Sequence, residues 1–178
     1  MKLTKLIALL FFSSVLLSAS CKKDETDDGL PEATQTGAGM MAARVNGLVW
    51  VKKSCTACIG GGSGLEVRFA SNGFLSIKGQ QENILISIAI DNVDHIGIYY
   101  FKQTGKIIGT GSYLNTTDNA PTINYYYTDS NYTGFVAITK LDLANKIISG
   151  TFQFDAESQL TAGTVVNITD GRFDVKYR

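Results

Sequence analysis

Histidine and proline are nearly absent from this 178-residue chain, cysteine is scarce, and neither sign of charge dominates. The single histidine, His95, leaves little for a catalytic triad or a metal centre built on imidazole. Only two prolines occur, Pro31 and Pro121, so β ladders can run largely uninterrupted. Sixteen basic residues balance sixteen acidic ones, and no basic stripe marks the body, which argues against a nucleic-acid partner. Helical periodicity is also missing. Apart from the first twenty residues, no segment of ten or more carries a helical stripe.

The N-terminus has the layout of a secretory signal. Lys2 and Lys5 form a positive n-region, and Leu6 to Leu17 is an apolar run broken only by Ser13 and Ser14. That run is too short to span a bilayer core, which takes roughly 20 apolar residues. Ser18-Ala19-Ser20 are small, as a peptidase site requires, and Cys21 follows. Small residues abutting a cysteine here resemble a bacterial lipobox, although Leu17 stands four residues before the cysteine where the commonest pattern has three. The expectation is a signal peptide over residues 1–20 and a lipidated Cys21. Two or more acyl chains on that residue would hold the protein stably on a membrane. Removing residues 1–20 also removes Lys2 and Lys5, leaving 14 basic against 16 acidic residues, a formal charge of −2. Residues 21–38, charged and without apolar period, read as a flexible tether.

From residue 39 to 178 the period is two. Asn46-Gly47 and Asn72-Gly73 each separate apolar runs and predict two-residue hairpins. Ile84, Ile86, Ile88 and Ile90 line one face of a long strand, and Leu85 and Ala89 on its other face suggest a doubly covered position. Further strands are expected at 96–102, 122–128, 135–141, 146–154 and 165–168. In the last strand Phe173, Val175 and Tyr177 point to the core, and Arg172, Asp174, Lys176 and Arg178 to water. About ten short strands predict an all-β antiparallel sandwich, with a closed or partly open barrel as the alternative. About 140 residues can bury such a core without disulfide staples.

Three stretches together resemble a known family. They are Leu30-Pro31-Glu32-Ala33-Thr34-Gln35-Thr36-Gly37 running into Val45-Asn46-Gly47-Leu48-Val49-Trp50, then Ile138-Thr139-Lys140-Leu141-Asp142 with Ile148-Ser149-Gly150-Thr151-Phe152, and finally Ile168-Thr169-Asp170-Gly171-Arg172-Phe173-Asp174-Val175. The chain resembles the Bacteroidetes lipoprotein family catalogued as domain of unknown function 6252. That resemblance implies a lipid-anchored β domain in a Gram-negative envelope, and it supplies no reaction and no catalytic residues. Lys23-Asp24-Glu25, close behind Cys21, similarly resembles the surface-export signal of lipoproteins in such bacteria.

Local motifs for chemistry are weak. Cys55-Thr56-Ala57-Cys58 with His95 offers at most three protein ligands to a metal. Gly60-Gly61-Gly62-Ser63-Gly64 follows soon after, a loop rather than the helix N-terminus that a redox pair needs. A local disulfide between Cys55 and Cys58 is the leading expectation, with a free pair beside it. The glycine run lacks the Lys-Ser/Thr of a phosphate loop. His95, with Asp91 and Asp94 near in sequence, makes no evident triad. Asp142, Asp155, Glu157 and Asp170 read as turn residues. Asp91-Asn92-Val93-Asp94 and Thr128-Asp129-Ser130-Asn131 offer oxygens to calcium without matching an EF-hand.

Aromatics crowd the middle third. Tyr99, Tyr125, Tyr127 and Tyr132 are candidates for an exposed platform, since tyrosine joins an apolar ring to a hydroxyl. The resulting expectation is a non-enzymatic, lipid-anchored lipoprotein of the outer membrane, facing the cell surface or alternatively the periplasm. It has no cofactor and no metal. Its partners are the membrane, through the anchor, and an extracellular glycan or protein. The alternatives are a structural envelope component without a small-molecule ligand and, last, a hydrolase.

Overall fold

The computed structural model describes residues 29–54, 62–103, 106–116 and 123–178, and these form an all-β structure. Thirteen strands follow in chain order. The first five are β1 (Met40–Val45), β2 (Leu48–Val51), β3 (Leu65–Phe69), β4 (Leu75–Gln81) and β5 (Ile84–Ile90). Then come β6 (Gly97–Tyr100), β7 (Lys102–Gln103), β8 (Lys106–Ile107), β9 (Gly109–Asn115) and β10 (Tyr125–Tyr127). The last three are β11 (Gly134–Asp142), β12 (Ile147–Ser158) and β13 (Val165–Lys176). Eleven of them make one antiparallel sheet that does not close into a barrel, and β7 and β8 pair separately.

The sheet folds over on itself at β12. One edge of this long strand pairs with β13 throughout. Its other edge is divided: residues 147–154 pair with β11, and Glu157-Ser158 pair with β10. One layer is therefore β2-β1-β13-β12-β11-β6, and the other is β10-β9-β5-β4-β3. The layers meet through side chains, as in a sandwich. A Cβ on Gly79 of β4 would lie 2.7 Å from Trp50 Cη2 and 2.8 Å from Met41 Sδ. One on Gly111 of β9 would lie 2.6 Å from the Phe154 ring. Met41, Trp50, Ile77, Ile86, Ile88, Phe152, Phe154 and Phe173 fill the space between.

Local chemistry explains most elements. Asn46 (φ 49°) and Gly47 (φ 83°) both adopt left-handed backbone, as a type I′ hairpin requires. The Asn72-Gly73 turn differs from expectation. Only Gly73 is left-handed (φ 79°); Ala70 N–H donates to Phe74 O, and Asn72 Oδ1 accepts from Phe74 N–H. This is a three-residue loop ending in a glycine bulge, because the Asn72 side chain holds the turn instead of its backbone. β5 is central, between β4 and β9, and its second face is half-buried rather than doubly covered.

Two departures concern the C-terminal strand. Val165–Ile168 and the final strand are one element, β13, kinked at Asp170 (φ 51°), where the register with both neighbours shifts. Asp170 thus sits in a bulge and not at a turn, and Asp155 and Glu157 lie within β12. Asp174 alternates away from Phe173 and Val175 as expected, but it is not wet: it is 0% exposed. Residues 34–38 cover it.

Candidate functional site

Asp174 is the most heavily bonded side chain among the described residues. Oδ2 accepts from Thr34 Oγ1 (2.7 Å), Thr36 N–H (2.9 Å), Thr36 Oγ1 (3.3 Å) and Ala38 N–H (3.0 Å). Oδ1 accepts from Gly37 N–H (2.8 Å) and Ser149 Oγ (2.7 Å). Burial alone would raise its pKa. The donors from Ala38, Thr34, Ser149 and Gly37 outweigh that and hold the carboxyl well below the usual carboxylate range. Around this clasp, Lys140 Nζ donates to Gln35 O (2.9 Å), Gln35 Nε2 to Thr139 Oγ1 (3.2 Å), and Arg172 Nη1 to Pro31 O (3.0 Å). A fully bonded ionised carboxylate has no free electron pair aimed at a substrate, so its role is structural. It fastens the last part of the tether read over 21–38 to the sheet. Gly29, at the start of the described chain, lies against Val49. The segment thus runs from the β1–β2 end of the domain toward the far end of β13.

That far end carries an open groove of about 600 Å³. The β3–β4 turn supplies Ser71, Asn72 and Gly73, the β5–β6 connection Asn92, Val93 and Asp94, and the β11–β12 side Leu141 and Leu143. Phe69 and Tyr177 meet there edge to face, with ring centroids 5.0 Å apart. Two left-handed residues, Gly73 and Asn92 (φ 58°), shape the wall. Val93 N–H donates to Gly73 O at 2.9 Å, which locks the two loops backbone to backbone. A smaller groove of about 390 Å³ lies at the opposite end, lined by Leu48, Val49, Trp50, Glu82 and Tyr113 among others.

The candidate tyrosines divide. Tyr125 and Tyr127 stand on one face of β10, 40% and 38% exposed, their rings stacked at 6.0 Å with an interplanar angle of 15°. Tyr126, between them, turns inward onto Tyr113. Tyr99 is buried, and its hydroxyl donates to His95 O (2.8 Å) and accepts from His95 N–H (3.1 Å), so it cannot join a platform. Tyr132 is half-buried in the loop before β11, away from the pair in sequence and strand. A second exposed apolar face was not foreseen: Ile96, Ile98 and Tyr100 alternate outward along the edge of β6, with Tyr100 edge-on to Phe135. Strict alternation at 96, 98 and 100 was the signal that could have found it.

The remaining candidates do not converge. His95 Nδ1 bonds the exposed Asp94 carboxylate, and this bond chiefly lowers the Asp94 pKa. Asp129 accepts from Tyr132 and Asn131 N–H, and Asp142 from Asn145; these turn bonds lower both pKa values. Among the described residues no three His, Cys, Asp or Glu side chains group as a metal site would need. Cys21, Lys23, Asp24, Glu25, Cys55 and Cys58 lie outside the described residues.

Residues 39–175 match the family described as domain of unknown function (DUF6252). The chain belongs to this family. No curated protein and no solved structure matches it. In this DUF6252 domain, the three sequence stretches that carry the family resemblance meet at one place. Thr34 to Gly37, Thr139-Lys140, Ser149 and Arg172 to Asp174 together form the clasp. The DUF6252 match begins at residue 39, so the acceptor Asp174 lies inside it, whereas the donors Thr34 to Ala38 lie just outside.

Proposed function

We propose that this DUF6252 protein is a non-enzymatic lipoprotein, anchored by acyl chains on Cys21 in the outer membrane of a Gram-negative bacterium. Its β domain is displayed at the cell surface, where it binds an extracellular glycan or protein. The observation that carries the binding reading is the Tyr125–Tyr127 pair. Two flat rings, stacked and open to solvent on a rigid strand, offer contact area at little ordering cost. The lipobox-like Ser18-Ala19-Ser20-Cys21 and the acidic Lys23-Asp24-Glu25 support the anchoring and export.

The test is protease accessibility of the domain on intact cells, with lysed cells as control, followed by binding of the exposed protein to glycans and surface proteins. Cleavage on intact cells and a ligand lost on combined Tyr125→Ala and Tyr127→Ala substitution is the expected result. Protection until lysis would reject surface display. If no glycan or protein ligand depends on the two tyrosines, the tyrosine pair is rejected as a binding face.

A second reading, a structural contact with another envelope protein, rests on Ile96, Ile98 and Tyr100. An apolar edge strand such as β6 is a template for protein contact. Cross-linking in intact cells that captures one partner through β6, and is lost with Ile98→Lys, would favour it.

A further inference from the structure

We infer that the groove at the far end of the domain is a binding site for an uncharged sugar ring. This site is separate from the Tyr125–Tyr127 face and goes beyond the binding proposed there.

The lining selects the ligand class. Its apolar part holds two aromatic rings, Phe69 and Tyr177, with Val93, Leu141 and Leu143. The C–H faces of a pyranose pack on such surfaces. Its polar part is Ser71, Asn72, Asn92 and Asp94. A hydroxyl and two carboxamides both donate and accept, as sugar hydroxyls do. The Ser71 and Asn92 side chains are exposed, and neither is tied to another described residue. No lysine or arginine lines the groove, so nothing there complements a phosphate, a sulfate or an acidic sugar. The one formal charge, Asp94, is already bonded to His95, and a lone carboxylate does not make a cation site. A volume of about 600 Å³ lies within the range of small-molecule sites.

Two further observations fit. The walls are preformed, because the Val93–Gly73 bond and the left-handed Asn92 hold the loops before any ligand arrives. A Cβ on Gly73 would sit 2.9 Å from Val93 N, so the two loops approach as closely as glycine permits. Position also matters. The chain leaves the described domain at Gly29, against Val49, which lines the opposite groove. The groove therefore lies at the end of the domain opposite to where the proposed tether joins it, clear of the anchor.

The experiment is calorimetric titration of the detergent-solubilised full-length protein with neutral oligosaccharides (malto-, cello-, xylo- and mannohexaose), with an oligogalacturonate as the acidic control. The variants are Asn92→Gly, which removes the carboxamide and suits the left-handed backbone, Leu143→Trp, which fills an exposed wall, and the combined Tyr125→Ala and Tyr127→Ala. Binding of at least one neutral sugar near about 1 mM or tighter, weakened about tenfold or more by Asn92→Gly and by Leu143→Trp, is expected. The tyrosine variant should bind that sugar as well as the parent. No neutral binding at about 10 mM, or preference for the acidic control, overturns the inference while leaving a protein ligand at the tyrosine pair intact. Sugar binding lost with the tyrosines and retained in both groove variants overturns the site assignment and upholds the wider reading.

Discussion

Replacing Asp174 with asparagine keeps the side-chain shape and removes the charge and one acceptor. Because Oδ2 serves two backbone N–H groups and Oδ1 only one, the amide nitrogen does least harm at the Oδ1 position. There the Ser149 hydroxyl can rotate and accept, but Gly37 N–H cannot turn away. One buried backbone donor is then orphaned, costing about 1–3 kcal/mol. The bonds that remain lose their charge assistance, which roughly doubles such bonds when present. Together the loss should be about 3 kcal/mol, or about 6–12 °C in Tm for a domain of this size. Urea denaturation of the parent and Asp174→Asn would measure it, with the slope m unchanged if only the native clasp is affected. A loss under about 1 kcal/mol would refute the reasoning, since that is the worth of one ordinary bond.

The pH dependence gives an independent check. The folded carboxyl titrates well below its unfolded value, so its contribution is complete above about pH 5 and starts to fall near pH 4. As pH falls further, the unfolded chain takes up a proton that the folded one refuses. Parental stability should then drop by up to about 1.4 kcal/mol per pH unit from this group. The variant lacks that slope, so the gap between the two should narrow from about pH 4 to about pH 2. Parallel curves would show that Asp174 is not ionised in its clasp.

Other expectations follow from the same geometry. Gly111→Ala pushes a methyl into the buried Phe154 ring and should cost about 1–3 kcal/mol by thermal denaturation. Gly47→Ala places a side chain at φ 83° with nothing near it, so only backbone strain opposes it; the loss should be about 1 kcal/mol. Tyr125→Ala with Tyr127→Ala, on an exposed face, should change stability by no more than about 1 kcal/mol while abolishing ligand binding at that face. Cys21→Ala should move the protein from the membrane fraction to the soluble fraction on cell fractionation, because the thiol is the proposed acyl acceptor.

Strand content was legible where side chains announce it. The isoleucines at 84, 86, 88 and 90 and the Asn46-Gly47 turn carry their structure locally. β9 escaped notice because Gly109-Thr110-Gly111-Ser112 has almost nothing apolar to alternate. Its glycines let the Phe101 and Phe154 rings lie against the backbone, and Phe154, the ring against Gly111, is remote in sequence. Asp174 shows the same limit. Parity put it on the correct face, but the cover over that face comes from residues 136 to 140 positions earlier. The end groove joins three turns and the C-terminus, so no local pattern could have assembled it. Among the tyrosines, composition could not tell Tyr99 from Tyr125; only the inward or outward parity of each strand does.

The clasp also has a mechanical meaning for an anchored protein. With the chain held at the proposed lipid, tension would enter the described domain at Gly29 and pass along residues 30–38, which lie over β13. Pulled in that direction, the donors around Asp174 are sheared together and do not unzip one by one. Should they yield, the freed stretch would lengthen the leash by about 30 Å while the sandwich stayed whole. Under the proposed anchoring, the carboxylate would stand as a fuse between the tether and the sheet, bearing the load ahead of β1.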